Sequence, residues 1–356
     1  MTRLRIAYLI NSVEGGGAAS PVPDIARVLR DGGAEVAVFA LTRRDARGLP
    51  AMEDAGLDVR VRDGGETDHV AALRWIDRQV SEWRATHLWT SLTQATLLGQ
   101  IVGQRRGVPV VSWQNNVPRN LANRTLLRLR QRHSALWIAD SAANGDVLRD
   151  MIGVPQARIV VWPIFRADPA APCARTWQAG EPLRIGSLGR LHPVKGYDVL
   201  ANAIAFLRSS GVPAEVTIGG DGGLRDALAG RPGIQLAGFV DQPRAFLAGL
   251  HLYVQPSRSE GLCVAAHEAM QAGLPVIGSA VGEMRHSIVP GETGWLVPPG
   301  DAPALAAAMG QAIADPARLP TMGITARARL MERMAPARFD DVGVEILARM
   351  SDMQRP

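Results

Sequence analysis

Ser257–Pro299 reads SRSEGLCVAAHEAMQAGLPVIGSAVGEMRHSIVPGETGWLVPP, and the fold is decided there. The apolar run LHLYVQPS leads in as a strand, and the chain turns sharply through Ser259-Glu260-Gly261. An Ala-rich apolar helix ends at Ala272-Gly273; a second strand, LPVIGS, follows, then a loop and VPGETGWLV, expected as a short hairpin. This is a β-α-β unit carrying two acids, Glu260 just before the helix and Glu268 inside it. Eight residues is a little over two helical turns, so both can face one side, about 12 Å apart. An acid at a strand's C-terminal end, before a helix with free N–H groups, looks into the crevice where open α/β sheets bind ligands.

Outward from that unit the same alternation continues. Upstream come LRIGSLG, the helix DVLANAIAFLRSSG, AEVTIGG, IQLAGFV and a helix around PRAFLAGL; downstream come the helices APALAAAMGQAIADPA and RFDDVGVEILARMSDM. The first half repeats the plan. Strand Leu4–Ile10 precedes the loop Asn11–Ser20 with Gly15-Gly16-Gly17, then helix VPDIARVLRDGG and strand AEVAVFAL. LDVRV, HLWTSL, VPVVSW and LWIADS are further strands. Strands separated by helices of this length predict an α/β protein with parallel, doubly wound sheets. The Pro- and Ala-rich run PIFRADPAAPCARTWQAGEP has no periodicity and reads as a linker. The expected organisation is a Rossmann-like domain over 1–165, a linker over 166–182, a second Rossmann-like domain over 183–335 and a C-terminal helix over 336–356. The two domains are expected to face each other across a cleft.

At 356 residues, with 47% hydrophobic and 21% charged, the chain is a globular protein with room for two cores. Cys173 and Cys263 are too far apart for a C-x-x-C zinc or redox motif, and no disulfide framework exists. No run approaches the roughly 18 apolar residues that span a bilayer. The N-terminal apolar stretch lacks a cleavage pattern and reads as a strand, so a cytoplasmic protein is expected. Residues 1–170 hold 22 basic and 17 acidic side chains, the remainder 17 and 17, so the net charge of +5 belongs to the first half. Seven arginines and no acid lie between Arg105 and His133. At helical spacing Arg124, Arg128 and Arg132 form a stripe beside Leu121, Leu126, Leu127 and Leu129. Such a helix suits an anionic membrane surface or a phosphate-bearing substrate, or is simply a solvated face. It has no aromatic to stack on bases, which argues against nucleic acid.

Of 39 basic residues one is lysine, Lys195. A compact ammonium is not interchangeable with a planar guanidinium, so a site that kept lysine in an arginine-rich chain is a candidate for function. It lies in GRLHPVKGYDVL, where a strand runs into Gly189, then Arg190 and Lys195, then a helix. Two cations at a strand's mouth near a helix start suit a diphosphate. Gly219-Gly220-Asp221-Gly222-Gly223 allows a close ligand approach or a tight turn.

GRLHPVKGYDVL, IGGDGGLR, LAGFV and PSRSEGLCVAAHEAMQAGLPVIGSAVGE…PGETGWLVPPGD together resemble the retaining GT-B glycosyltransferases of sequence family 4, whose hallmark is E-x7-E, here Glu260 and Glu268. The resemblance covers about half the chain, roughly Leu183 to Ala308. It implies that Glu260 binds the hydroxyls of a donor sugar, Glu268 the ribose, and Arg190 and Lys195 the diphosphate, with no metal. Gly261, Leu262 and Cys263 would present backbone N–H groups, and Gly189, Gly220, Asp221, Phe239 and Val240 would complete the donor site. A nucleoside-diphosphate sugar, UDP- or GDP-linked, is the implied co-substrate, and a carbohydrate or lipid-linked acceptor the other partner, in bacterial glycan, exopolysaccharide or glycolipid synthesis. The acceptor side is expected at Asn11, Gly15, Gly16, Gly17 and Asn115.

This chain departs from the family pattern at three places. Gly282 is followed by Glu283, with His286 at the place of an expected acid; Cys263 stands where glycine or proline is common; and Trp113-Gln114-Asn115-Asn116 replaces a first-domain histidine. Two rivals are a nucleotide-sugar 2-epimerase of the same fold and a non-catalytic nucleotide-sugar-binding protein.

Overall fold

Runs such as RIAYLINS and EVAVFALT are apolar on both faces, which suits strands covered by helices on either side. A computed structural model, which describes residues 3–15, 18–114, 120–163 and 165–353, makes them β1 (Arg5–Ser12) and β2 (Glu35–Thr42) of a seven-stranded sheet. With β3 (Asp58–Val61), β4 (His87–Ser91), β5 (Val110–Gln114), β6 (Leu136–Ala139) and β7 (Ile159–Val161) the order is β3-β2-β1-β4-β5-β6-β7. A second sheet contains β8 (Ile185–Leu188), β9 (Val216–Gly219), β10 (Ile234–Gly238), β11 (Leu252–Gln255), β12 (Val276–Ser279) and β13 (Gly294–Val297). Its order is β10-β9-β8-β11-β12-β13, and both sheets are parallel throughout. Both are the doubly wound α/β sheets expected.

Each sheet has one place where the chain reverses its direction of travel, between β1 and β4 in the first and between β8 and β11 in the second. Loops leaving the C-terminal ends of strands diverge there, which is where open α/β sheets hold ligands.

One stretch differs from the sequence reading. VPGETGWLV is not a hairpin: Thr293 N–H bonds Val289 O at 3.0 Å to close a turn, and β13 then runs parallel to β12, with Val276 opposite Gly294. Val289-Pro290 is too short, and Pro290 too poor in donors, to make a first hairpin strand. The 166–182 run packs into the second unit, Phe165–Pro336, with Phe165 and Ala167 in its core and Asp168 N–H bonded to Gln271 Oε1 at 2.7 Å. The last helix, Pro336–Asp352, belongs with the first unit. Its Phe339, Ile346, Leu347 and Met350 are buried beside Trp162, and each such burial contributes about 1.5–3 kcal/mol. Trp162 Nε1–H bonds Phe339 O at 3.0 Å, and His87 Nε2 lies 2.9 Å from Met350 O.

Candidate active site

In the second unit the loops after β8 and β11 meet at the reversal point. Lys195 Nζ donates to Glu260 Oε1 at 2.7 Å, with side chains only 21% and 11% exposed. Burial opposes the lysine's charge, but the adjacent Glu260 carboxylate outweighs it and raises its pKa. Arg258 stitches the same loops, gripping both Asp198 oxygens at 2.6 Å and donating to Pro193 O at 3.0 Å. That grip holds the Asp198 carboxyl below its usual range. Gly196, at φ +69°, lets the turn close: a Cβ there would lie 2.0 Å from Pro256 O.

Glu260 is held from below as well. Ser257 Oγ donates to Glu260 Oε1 at 2.6 Å, Gln255 Nε2 to Ser257 Oγ at 2.8 Å, and Tyr253 OH to Gln255 Oε1 at 2.7 Å. Tyr253, Gln255 and Ser257 are fully buried.

The helix Val264–Gln271 begins immediately afterwards, with no side chain capping its start. Its first turn is entered through Cys263 at φ 65°, ψ 67°, a left-handed conformation costly for a residue with a Cβ. That explains why glycine suits this position. The Cys263 thiol is buried against Glu260, and burial pushes its pKa well up, so it is an inert thiol. Because the helix starts only at Val264, helical rise does not relate Glu260 to Glu268 over the intervening loop. Glu268 is half-buried; burial raises its pKa, with Arg244 acting weakly against this. No hydrogen bond to its carboxylate exists among the described residues.

The remaining expected donor residues ring these two. Arg190 follows β8 exposed, with no ion pair among the described residues. Gly189 N–H bonds Gly219 O, Gly220 N–H bonds Gly238 O, and Asp221 Oδ1 accepts from Gly222 N–H at 2.8 Å, so the loops after β8, β9 and β10 lie side by side. Phe239 is half-exposed after β10, while Val240 packs on the core. Gly282 carries the loop after β12 onto Glu260: at φ +51°, a Cβ there would lie 2.4 Å from the carbonyl oxygens of Glu260 and Gly261.

Glu283 and His286, the departures after Gly282, lie in different surroundings. Glu283 is buried, with Oε1 2.5 Å from Arg333 Nη2 and Oε2 without a partner. His286 has an exposed side chain, while its carbonyl accepts from Arg329 and Arg333. Sequence reasoning missed His267. It is wholly buried, Nδ1 3.0 Å from Cys263 O and Nε2 2.8 Å from Ser287 Oγ. Those partners fit a neutral ring with its proton on Nδ1, and burial lowers its pKa to about 4. A histidine three residues after an apolar helix start was the available signal.

On the first unit, Asn11 is half-buried, and its Oδ1 accepts from Ala95 N–H at 2.8 Å, joining β1 to the first turn of the helix after β4. Gly15 is exposed and donates to Asp45 at 3.0 Å. Gly16, Gly17 and Asn115 lie outside the described residues. Gln114 ends β5 buried, its Nε2 bonded to Thr96 Oγ1 at 2.9 Å and its Oε1 unpartnered. The basic stripe lies on the helix Leu121–Arg130 and the turn after it. Only Leu127 is buried; Leu121, Leu126 and Leu129 are 65%, 44% and 68% exposed. Arg128 and Arg132 are exposed, Arg124 half-buried, and none has a carboxylate partner among the described residues. Among the described residues, no helix is long and apolar enough to cross a membrane, and no group of three or more His, Cys, Asp or Glu could hold a metal.

Residues 182–315 match the family model described as glycosyl transferases group 1. Among curated relatives, the 2-deoxystreptamine N-acetyl-D-glucosaminyltransferase of Streptomyces fradiae is 32% identical over 55% of this chain and 50% of its own length. The D-inositol 3-phosphate glycosyltransferase of Thermobispora bispora is 27% identical over 95% of this chain and 91% of its own. The chain spans half or less of the length of the curated relatives it matches at 30% identity or better. Anabaena HepE, solved with UDP and glucose, superposes with a TM-score of 0.82 over 97% of this chain and 100% of its own, at 21% identity, a likeness of fold. Residues 182–315, then, resemble the glycosyl transferases of group 1, and the chain has a GT-B fold.

Proposed function

We propose that this chain is a retaining, metal-independent glycosyltransferase of sequence family 4 that moves a sugar from a uridine diphosphate sugar to an acceptor on its first unit. The observation that carries the reading is the Lys195–Glu260 contact at 2.7 Å across the reversal point of the second sheet. A cation suited to phosphate and a carboxylate suited to sugar hydroxyls meet there, so the bond from anomeric carbon to phosphate oxygen would lie beside both. In the proposed step that bond breaks, its electron pair leaving on the nucleoside diphosphate. The acceptor oxygen bonds to the anomeric carbon on the same face, and its proton passes to the departing phosphate oxygen. Lys195 and Arg190 would stabilise the charge developing on that oxygen, the kind of electrostatic help that lowers barriers most. Glu268, without a hydrogen-bond partner among the described residues, would take the ribose.

Uridine is favoured because HepE was solved with UDP and glucose. UDP and a UDP-sugar should raise the melting temperature of the second unit, by the equivalent of about 2.7 kcal/mol at a hundredfold excess over Kd. Stabilisation by GDP instead would move the donor to guanosine, and no response to any nucleotide would sink the reading. Conversion of a UDP-sugar without acceptor into its C2 epimer would favour the epimerase.

A second observation bears on where the enzyme works. Three exposed leucines interleave with Arg124, Arg128 and Arg132 on one helix of the first unit and the turn after it. Apolar contact plus cations without internal partners suits the anionic inner face of a cytoplasmic membrane, where a lipid-linked acceptor would be met. The protein should co-sediment with phosphatidylglycerol vesicles at low salt, and Arg124, Arg128 and Arg132→Glu together should abolish this. Equal retention of that triple variant on those vesicles would remove the membrane from the proposal.

A further inference from the structure

We propose that Ser257, oriented by Gln255 and Tyr253, is the positioning residue that fixes which oxygen of Glu260 is offered to the donor sugar. The inference rests on the reading of Glu260 as the donor-sugar carboxylate.

The direction of each hydrogen bond follows from its neighbours. Leu188 N–H lies 3.1 Å from Tyr253 OH and can only donate, so the phenol oxygen accepts there. The phenol's single proton goes to its shorter contact, Gln255 Oε1 at 2.7 Å, rather than Leu188 O at 3.1 Å. That choice sets the Gln255 amide with Nε2 toward Ser257, to which it donates at 2.8 Å. The Ser257 oxygen is thereby an acceptor from below, and its own proton is committed to Glu260 Oε1 at 2.6 Å. Every bond in the chain points the same way, so each polarises the next. The three side chains are wholly buried, so water does not compete for them.

Two consequences follow for the carboxylate. Oε1 receives both Ser257 and Lys195; no N–H or O–H donor among the described residues reaches Oε2, and the buried Cys263 thiol is the one weak donor beside the carboxylate. Oε2 is then the oxygen available to a sugar hydroxyl, and the relay holds it in one orientation. The relay also begins on the last residue of β8, next to Gly189, and ends on the loop after β11. It therefore ties the strand end that leads to Arg190 to the carboxylate that reads the sugar. Ser257 is too deeply buried to touch the donor itself, which separates positioning from direct contact.

The test compares full-length Ser257→Ala and Ser257→Thr with wild type, using the UDP-sugar that most raises the melting temperature, and UDP itself. Loss of one hydrogen bond to a charged group predicts a fall of about ten- to hundredfold in kcat/KM for the UDP-sugar with Ser257→Ala. UDP, which carries no donor sugar, should bind within about threefold of wild type, and Ser257→Thr, which keeps the hydroxyl, should recover most of the loss. Tyr253→Phe, which removes only the phenol oxygen, should reproduce a smaller loss of the same kind and serves if Ser257→Ala does not fold. Wild-type turnover in Ser257→Ala, or equal loss of UDP and UDP-sugar binding, would overturn the inference. Glu260→Ala separates the two levels: if it too turns over the UDP-sugar normally, the reading of Glu260 fails, whereas an inactive Glu260→Ala beside an unaffected Ser257→Ala removes the relay alone.

Discussion

Lys195→Ala should lower the proposed sugar transfer by about two to three orders of magnitude, the effect seen when one donor to a developing oxyanion is removed. The loss should fall mainly on kcat, because the charge that Lys195 would meet grows as the nucleoside diphosphate departs. Lys195→Arg should not restore it. The lysine stem runs over Gly189, its Cε 3.6 Å from where a Cβ would stand, and its ammonium reaches Glu260 between two stitched loops. A guanidinium is longer and planar, and would displace either the Glu260 carboxylate or the Arg258–Asp198 clasp beside it. Since Glu260 raises the lysine's pKa, the ammonium stays charged through any ordinary assay, and its charge is lost only above the usual lysine range. Single-turnover rates with the preferred UDP-sugar would decide the matter. Activity in Lys195→Ala within threefold of wild type, or full activity in Lys195→Arg, would take the lysine out of the mechanism.

Much of this was visible in the chain before any coordinates. The E-x7-E stretch announced its β-α-β unit, the apolar runs announced parallel sheets, and the single lysine pointed to the loop that does meet Glu260. What the sequence hid is what depends on partners far along the chain. Tyr253, Gln255 and Ser257 read as an ordinary buried strand; their hydroxyl and amide groups become a relay only because β8 lies beside β11. Cys263 stood out as a departure where glycine or proline is common, and only its left-handed backbone shows that the cost is strain. VPGETGWLV carried the turn residues of a hairpin, and only pairing with β12 shows that its strand runs parallel. Periodicity put four leucines on the basic helix, but which of them is buried depended on what covers it, and only Leu127 is. Asn11, read as a ligand-side residue, spends its side-chain oxygen on Ala95 N–H.

The largest effect on stability should come from a residue that does not touch the donor. Glu283 is 3% exposed, its Oε1 held by Arg333 at 2.5 Å and its Oε2 already without a partner. Arg333→Ala would leave a buried carboxylate uncompensated, which typically costs about 3–5 kcal/mol. For a unit of this size that is a fall of roughly 10 °C in melting temperature. Arg333 also bonds His286 O at 2.5 Å, so the short helix Met284–Ser287 loses an anchor at the same time. The cause is the charge left alone in the interior rather than the missing hydrogen bonds, and a double variant distinguishes these. Glu283→Leu with Arg333→Met removes both charges and should restore most of the stability, because a buried pair is often worth no more than the apolar groups that replace it. The damage should also reach the site, since Glu283 N–H bonds Gly261 O at 2.9 Å and Gly282 rests on the Glu260 carbonyl. Arg333→Ala should therefore raise KM for the UDP-sugar even at temperatures where the unit is folded. Calorimetry on both variants is the check. A shift under about 2 °C for Arg333→Ala, or a double variant no more stable than the single, would show that Glu283 is not a buried charge awaiting its partner.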